Sequence, residues 1–381
     1  MKFTWFNLMP WPYLPDDFRE KNRSVWVDID QNLFDPAKSH EVYNTYMDLL
    51  EYAGTLGFDG IGVNEHHQNG YGIMPSPNII AAGLARRTKD PAIVVLGNSI
   101  ALYNPPIRVA EEFAMLDVIS GGRLIAGFMR GIPHEYVAYN VPPSESFGRM
   151  LEASELIRKA WSQPQPFGWE GKYYQFRAVS IWPRPVQQPG PRVLMSGSTP
   201  ESARFAAQNH AKLGIVRLTD LESVRDCIRV YKEAAAEAGW TPEPDDILIG
   251  QYTSIAETEA EAKKNLEGGI DYFLNVLNGG IRTAAQLVLQ KTRYYTVPTA
   301  IERTAQRVAV LKGMSIEERV DKGLVLCGTP DQVVKQIKTL HRELGMGVIN
   351  VVMKVGNVPN DAIHRGMTLF KNHVVEHVRD L

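Results

Sequence analysis

Strand-like apolar runs alternate with amphipathic helical stretches along almost the whole chain, and this alternation limits the possible folds more than any other feature. Lys2–Leu8 reads as a first strand. Tyr46, Leu49, Leu50, Ala53 and Leu56 recur at helical spacing within Asn44–Leu56, and Gly57 stops that helix. The pattern then repeats as strand Gly60–Asn64 and helix Pro77–Arg87, then strand Ala92–Leu102 and helix Pro106–Ile119, whose proline sits in the first turn. Strand Leu124–Phe128 precedes helix Phe147–Trp161, and strand Arg192–Met195 precedes helix Pro200–Asn209. Strand Ala211–Leu218 precedes helix Leu221–Ala238. Strand Ile247–Ile255, helix Pro330–Leu344 and strand Gly347–Val355 close the set. Eight such units over 381 residues predict a (β/α)8 TIM barrel in a single domain, 1–381, rather than an open doubly wound sheet. No GxGxxG follows the first strand, as a dinucleotide-binding half would require.

Three segments exceed the minimal repeat and are expected as insertions at the carboxyl-end face: 9–38, 162–191 and 257–322. The first is rich in Trp and Pro. The second carries Trp169, Tyr173, Tyr174, Phe176 and Trp182 among six prolines, and the third looks helical around a YYTVP break at 294–298. The first two hold too many aromatic residues for simple disorder. If strand one ends at the mouth of the barrel, 9–38 walls or covers a pocket there; packing or a subunit contact is an equal alternative.

With 44% hydrophobic and 22% charged residues the chain can bury a large core, and a net charge of −2 supplies no field toward nucleic acid or an anionic membrane. Cys227 and Cys327 make neither a disulfide framework nor a zinc site, no CxxC or HExxH occurs, and no metal is expected. Met1-Lys2 leads straight into a strand and no apolar run approaches the roughly 18 residues of a membrane span, so a cytoplasmic protein is expected.

Chemistry concentrates at strand ends. In FDGIGVNEHH (58–67) the apolar run Ile61-Gly62-Val63 ends in Glu65, His66 and His67, three ionisable groups that belong at an open site rather than in a core. Strand three contains Gly97-Asn98-Ser99-Ile100, where small residues suggest that something flat approaches the backbone. Strand four runs into Met129, Arg130 and Gly131. Strand five ends in SGSTPESA, so Ser196, Gly197, Ser198 and Thr199 lead into a helix through Pro200. Hydroxyls and open amides at a helix start, with an arginine from the neighbouring strand, make a phosphate cradle. Each piece is also ordinary cap or loop chemistry; together they point to a phosphorylated cofactor across the mouth of a barrel.

GFDGIGVNEHH (57–67), NPPIRVAEEFAMLDVISGGRLIAGFMRG (104–131), RVLMSGSTPESARFAAQNH (192–210) and VLCGTPDQVVKQI (325–337) resemble the bacterial luciferase-like flavin-dependent monooxygenases, nearly end to end. That resemblance implies oxidation of a small organic substrate by reduced FMN and O2 through a C4a-peroxyflavin. It also implies a separate NAD(P)H:flavin reductase and a homodimer or higher homo-oligomer. It makes His66 the catalytic histidine and places Asn98, Ser99 and Ile100 under the flavin ring, with a non-proline cis bond expected at Ser99–Ile100. Such a bond would cost about 3 kcal/mol or more. Met129 stands where luciferases proper carry a cysteine, which argues against light emission; Arg130 and Ser196–Thr199 match the phosphate site. An unperturbed histidine pKa of about 6.5 suits His66 for handling a proton at neutral pH. Glu65 is expected to orient an imidazole or hold an amide.

Trp5, Trp11, Tyr13 and Trp26 are expected substrate walls for an apolar or aromatic molecule. Tyr136 and His134 stand near flavin or substrate. His67 alternates away from His66 if the segment stays extended, and is carried with Trp11, Tyr13 and Tyr136 as a substrate-side residue. No arginine cluster for a sulfonate stands out, although Arg184, Arg192 and Arg217 cannot be positioned from sequence. Two alternatives stay open: a deazaflavin-dependent oxidoreductase on the same barrel, and a non-catalytic flavin-binding partner subunit.

Overall fold

The computed structural model describes residues 1–15, 17–22, 24–27, 29–216, 220–277 and 313–381. Its strands are β1 (Lys2–Asn7), β2 (Gly60–Val63), β3 (Ala92–Ser99), β4 (Leu124–Met129), β5 (Phe167–Glu170), β6 (Gln175–Val179), β7 (Arg192–Ser196), β8 (Lys212–Ile215), β9 (Ile247–Ile255), β10 (Val325–Gly328) and β11 (Val348–Lys354). Eight of them, β1-β2-β3-β4-β7-β8-β9-β11, pair in parallel and close on themselves through the β11–β1 ladder. This is a (β/α)8 barrel, as the alternation predicts. Every strand end that carries chemistry therefore faces the same rim.

The helices that cover the barrel start and stop on local signals. Pro36–Thr55 begins eight residues before the expected start, because Asp35 Oδ1 accepts from the amides of Ala37 and Lys38 and Pro36 occupies the first turn. Ile107–Ser120 ends at Gly121 and Pro330–Leu344 at Gly345, both in the left-handed region where glycine bears no Cβ penalty. Phe3 of β1 packs edge-on against Phe370 of helix Asn360–His373, joining barrel to outer layer.

Two features were not expected. A ninth strand, β10, pairs in parallel with the carboxyl half of β9, from Val325 opposite Tyr252 to Gly328 opposite Ile255. Four residues with a cysteine and a glycine carry too little periodicity to announce a strand. Within 162–191, β5 and β6 form an antiparallel hairpin outside the barrel. The third insertion is helical over Glu259–Asp271 and Ile316–Asp321; the YYTVP break lies outside the described residues. No helix among the described residues is long and apolar enough to cross a membrane.

Candidate active site

A cavity of about 830 Å3 opens at the carboxyl ends of the strands. Alternation along β1 turns Phe6 and Leu8 into it, while Trp5 shares the outward parity of Phe3. Trp5 is thus buried and forms no part of the wall. From 9–38, the described residue that reaches the cavity is Trp26. It is brought back over the rim by an antiparallel bridge to Asn69, with Val27 N–H donating to Gln68 O at 2.7 Å and Gly70 N–H to Val25 O at 2.8 Å. Trp11 and Tyr13 do not border the cavity. Trp11 packs on Tyr13 and Phe34, and Tyr13 is 47% exposed. Local sequence marks both as aromatic but says nothing about the path of a thirty-residue loop.

After β2 the two imidazoles part, and each meets a buried carboxylate. His66 borders the cavity, and its Nδ1 lies 2.8 Å from Glu135 Oε1. Glu135, 1% exposed, accepts from Ile132 N–H through its other oxygen at 2.9 Å. Trp26 and Tyr71 stand edge-on to the His66 ring at 5.4 and 5.1 Å. His67 turns away: its Nε2 lies 2.9 Å from Glu65 Oε1 and its ring rests on Tyr139. It is removed from the substrate side, as alternation in an extended segment requires.

Glu65, 3% exposed, does both things expected of it. Besides His67 it accepts from Asn98 Nδ2 at 2.7 Å, Ser99 N–H at 3.3 Å and the Tyr103 hydroxyl at 2.7 Å. Burial first, and then the Glu65 charge, push the Tyr103 phenol well above its ordinary value. Ser99 lines the cavity, but Asn98 and Ile100 lie beneath it, fully buried.

The cis bond expected at Ser99–Ile100 is not found. The cis bonds among the described residues are Asn104–Pro105, Trp182–Pro183 and Gln188–Pro189. In the trans geometry Ile100 N–H donates to Met129 O at 3.0 Å, without the roughly 3 kcal/mol that a non-proline cis bond costs. Gly97 and Ser99 of β3 border the cavity, and Gly97 also answers to the neighbouring strand. A Cβ on Gly97 would stand 2.7 Å from Gly127 O, and one on Gly127 only 2.1 Å from Val95 O.

Met129, Arg130, Ser196, Ser198 and Thr199 all line the cavity. Gly197 does not: its amide donates to Gly214 O, and a Cβ there would strike Leu213. Thr199 caps helix Pro200–Gln208, with Oγ1 accepting from Ser202 N–H. Tyr136 is turned down, its hydroxyl donating to Gly131 O, and packs with Leu102 and Val141. His134 stacks behind Trp26 at 4.4 Å. Arg184 donates to the carbonyls of Trp161 and Ser162, Arg192 starts β7 at the far end of the barrel, and Arg217 lies outside the described residues.

Glu135 and Lys354 escaped the sequence reading, though both border the cavity. Glu135 had a signal, an acid three residues past a helix start at Ile132-Pro133. Lys354 sits inside an apolar strand end. Burial pushes its pKa down to about 8, and its Nζ donates to Val358 O and Asn360 Oδ1.

The donor set suits a phosphorylated flavin or deazaflavin. Arg130 and the hydroxyl residues Ser196, Ser198 and Thr199 all border the cavity and offer the donors that a phosphate takes. The rest of the lining is largely apolar, and Asn64, which also lines the cavity, has a buried Oδ1 without a partner, as a ring N–H would require.

The family model of the luciferase-like monooxygenases matches residues 24–346. The chain belongs to that family. The flavin-dependent trigonelline monooxygenase, oxygenase component, of Acinetobacter baylyi is 27% identical over 63% of this chain; the match spans 66% of that relative, just under two thirds of its length. The F420-dependent glucose-6-phosphate dehydrogenase of Amycolatopsis mediterranei is 26% identical over 88% of this chain and 95% of its own. Among solved structures, the monooxygenase RslO1 from Streptomyces bottropensis superposes with a TM-score of 0.76 at 27% identity, covering 99% of each chain. The chain therefore belongs to a family whose named relatives include both monooxygenases and F420-dependent oxidoreductases.

Proposed function

We propose that this protein is the oxygenase component of a two-component monooxygenase, taking reduced FMN from a separate NAD(P)H:flavin reductase and oxidising a small apolar or aromatic molecule with O2. The observation that carries the reading is that Arg130, Ser196 and Ser198 line the same cavity as His66 and the aromatic residues Trp26 and Tyr71. The name of the Acinetobacter relative, an oxygenase component, supports the separate reductase.

In this reading Arg130, Ser196, Ser198 and Thr199 hold the phosphate, while Ser99 and Met129 border the ring. Bound reduced FMN supplies the two electrons with which O2 is activated. The chain's own work is then to orient, to exclude water and to handle one proton. His66 borders the cavity with an Nε2 that bonds to no described residue, and this atom takes or returns that proton. Trp26, Tyr71 and Phe273 form a ring-on-ring wall that keeps solvent from it. Glu65 holds the Ser99 amide, and so the end of β3, in place beneath.

The Amycolatopsis relative favours a second reading, hydride transfer with a deazaflavin. Titration of the purified protein with FMN, reduced FMN and a deazaflavin, followed by mixing of the reduced complex with O2, separates the two. An absorbing transient on O2 mixing that free reduced FMN does not show supports the monooxygenase. Tight deazaflavin binding without O2 consumption moves the assignment to hydride transfer.

A further inference from the structure

We propose that Glu135 is the positioning residue for His66: it fixes the imidazole proton on Nδ1, so that neutral His66 presents the Nε2 lone pair to the cavity. The use made of that lone pair rests on the function proposed above; the tautomer itself does not.

The argument is one of donors and acceptors. An ionised carboxylate only accepts. Glu135 is buried, and one of its oxygens already takes the Ile132 N–H, which anchors the side chain at the start of helix Pro133–Ala138. The other oxygen faces His66 Nδ1 at 2.8 Å. A neutral imidazole donates from only one nitrogen. The proton therefore sits on Nδ1, and Nε2 is the acceptor.

The adjacent imidazole shows that this is a choice of geometry. His67 also meets a buried carboxylate, but through Nε2, and its ring lies off the cavity. One helix turn behind β4 thus decides which of two neighbouring histidines, and which nitrogen, addresses a ligand. When Nε2 takes up a proton, the imidazolium stands against the Glu135 carboxylate, so the charge is matched where it is buried. Other groups around the ring are Tyr71 at its edge, Trp26 with His134 behind it, Arg130 and Lys354 elsewhere on the cavity wall, and Glu65 with His67 below.

Glu135→Gln keeps the shape but cannot serve both donors. With its oxygen on Ile132 N–H, its NH2 group faces His66 Nδ1, turns that atom into an acceptor and moves the proton to Nε2. The test is long-range 15N–1H correlation on protein labelled at histidine, without flavin, the His66 signals being assigned by their loss in His66→Gln. The expected result is an Nδ1–H pattern for neutral His66 in the unmodified chain and an Nε2–H pattern in Glu135→Gln. An Nε2–H pattern in the unmodified chain, or identical patterns in both proteins, overturns the proposal. With reduced FMN and O2, Glu135→Gln is further expected to release peroxide in place of product on the order of ten-fold more often, at unchanged FMN affinity. If the protein binds no flavin while the Nδ1–H pattern holds, the proposed function fails and the positioning role stands.

Discussion

Asn98 Nδ2 donates to Glu65 Oε2 at 2.7 Å, tying the end of β3 to the second residue past β2. Both groups are buried, so the bond exists only because the two strands end side by side in the barrel.

Removing the carboxylate strands its donors. Glu65→Ala leaves His67 Nε2, Asn98 Nδ2, Ser99 N–H and the Tyr103 hydroxyl without their acceptor. Urea unfolding is expected to show a loss of about 3 kcal/mol or more, since each buried unsatisfied group costs about 1–3 kcal/mol. A loss below about 1 kcal/mol, the scale of an ordinary surface change, would mean that water fills the site and the network contributes little.

Arg130→Ala tests the cradle. Its FMN dissociation constant is expected to rise about ten-fold or more, on the scale of a charge-assisted hydrogen bond, while riboflavin affinity stays the same. Flavin fluorescence quenching measures both. Equal weakening of the two ligands would place Arg130 against the ring instead of the phosphate.

His66→Ala separates binding from chemistry. FMN affinity is expected to survive, while product formed per O2 consumed falls on the order of 10²-fold, the usual scale for a proton-transfer group. An unchanged ratio of product to O2 removes His66 from the proposed role.

How much of this could be read beforehand depends on how local the cause is. The parting of His66 from His67 follows from two-residue alternation, and the convergence of Glu65, Arg130 and Ser196 on one rim follows from eight parallel strands. Trp26 and Trp11 sit in the same aromatic loop, yet only Trp26 reaches the cavity, because its place depends on the bridge to Asn69. That pairing is non-local and leaves no periodic trace. Gly97 borders the cavity and also allows a close approach to the β4 backbone, and that second cause no single strand announces.

Lys354 carries a pH signature of its own. Its pKa is about 8 in the fold against an ordinary 10.5, because burial disfavours the charged form and no carboxylate among the described residues pairs with it. The unfolded chain therefore binds more protons above pH 8, and stability attached to this group rises with pH; the penalty is complete below pH 8 and is lifted toward 10.5. Between pH 7 and 9 the unmodified chain is expected to gain about 1.4 kcal/mol relative to Lys354→Met in urea unfolding. Taking the difference between the two proteins cancels Cys327, whose thiol is pushed up to about 12 from 9.0 and destabilises the fold above pH 9. The buried tyrosines act only above about pH 10, where the unfolded chain begins to lose their protons. A gap that stays flat across this range would mean that Lys354 is solvated or paired in solution, and that its ammonium is not held dry at the end of β11.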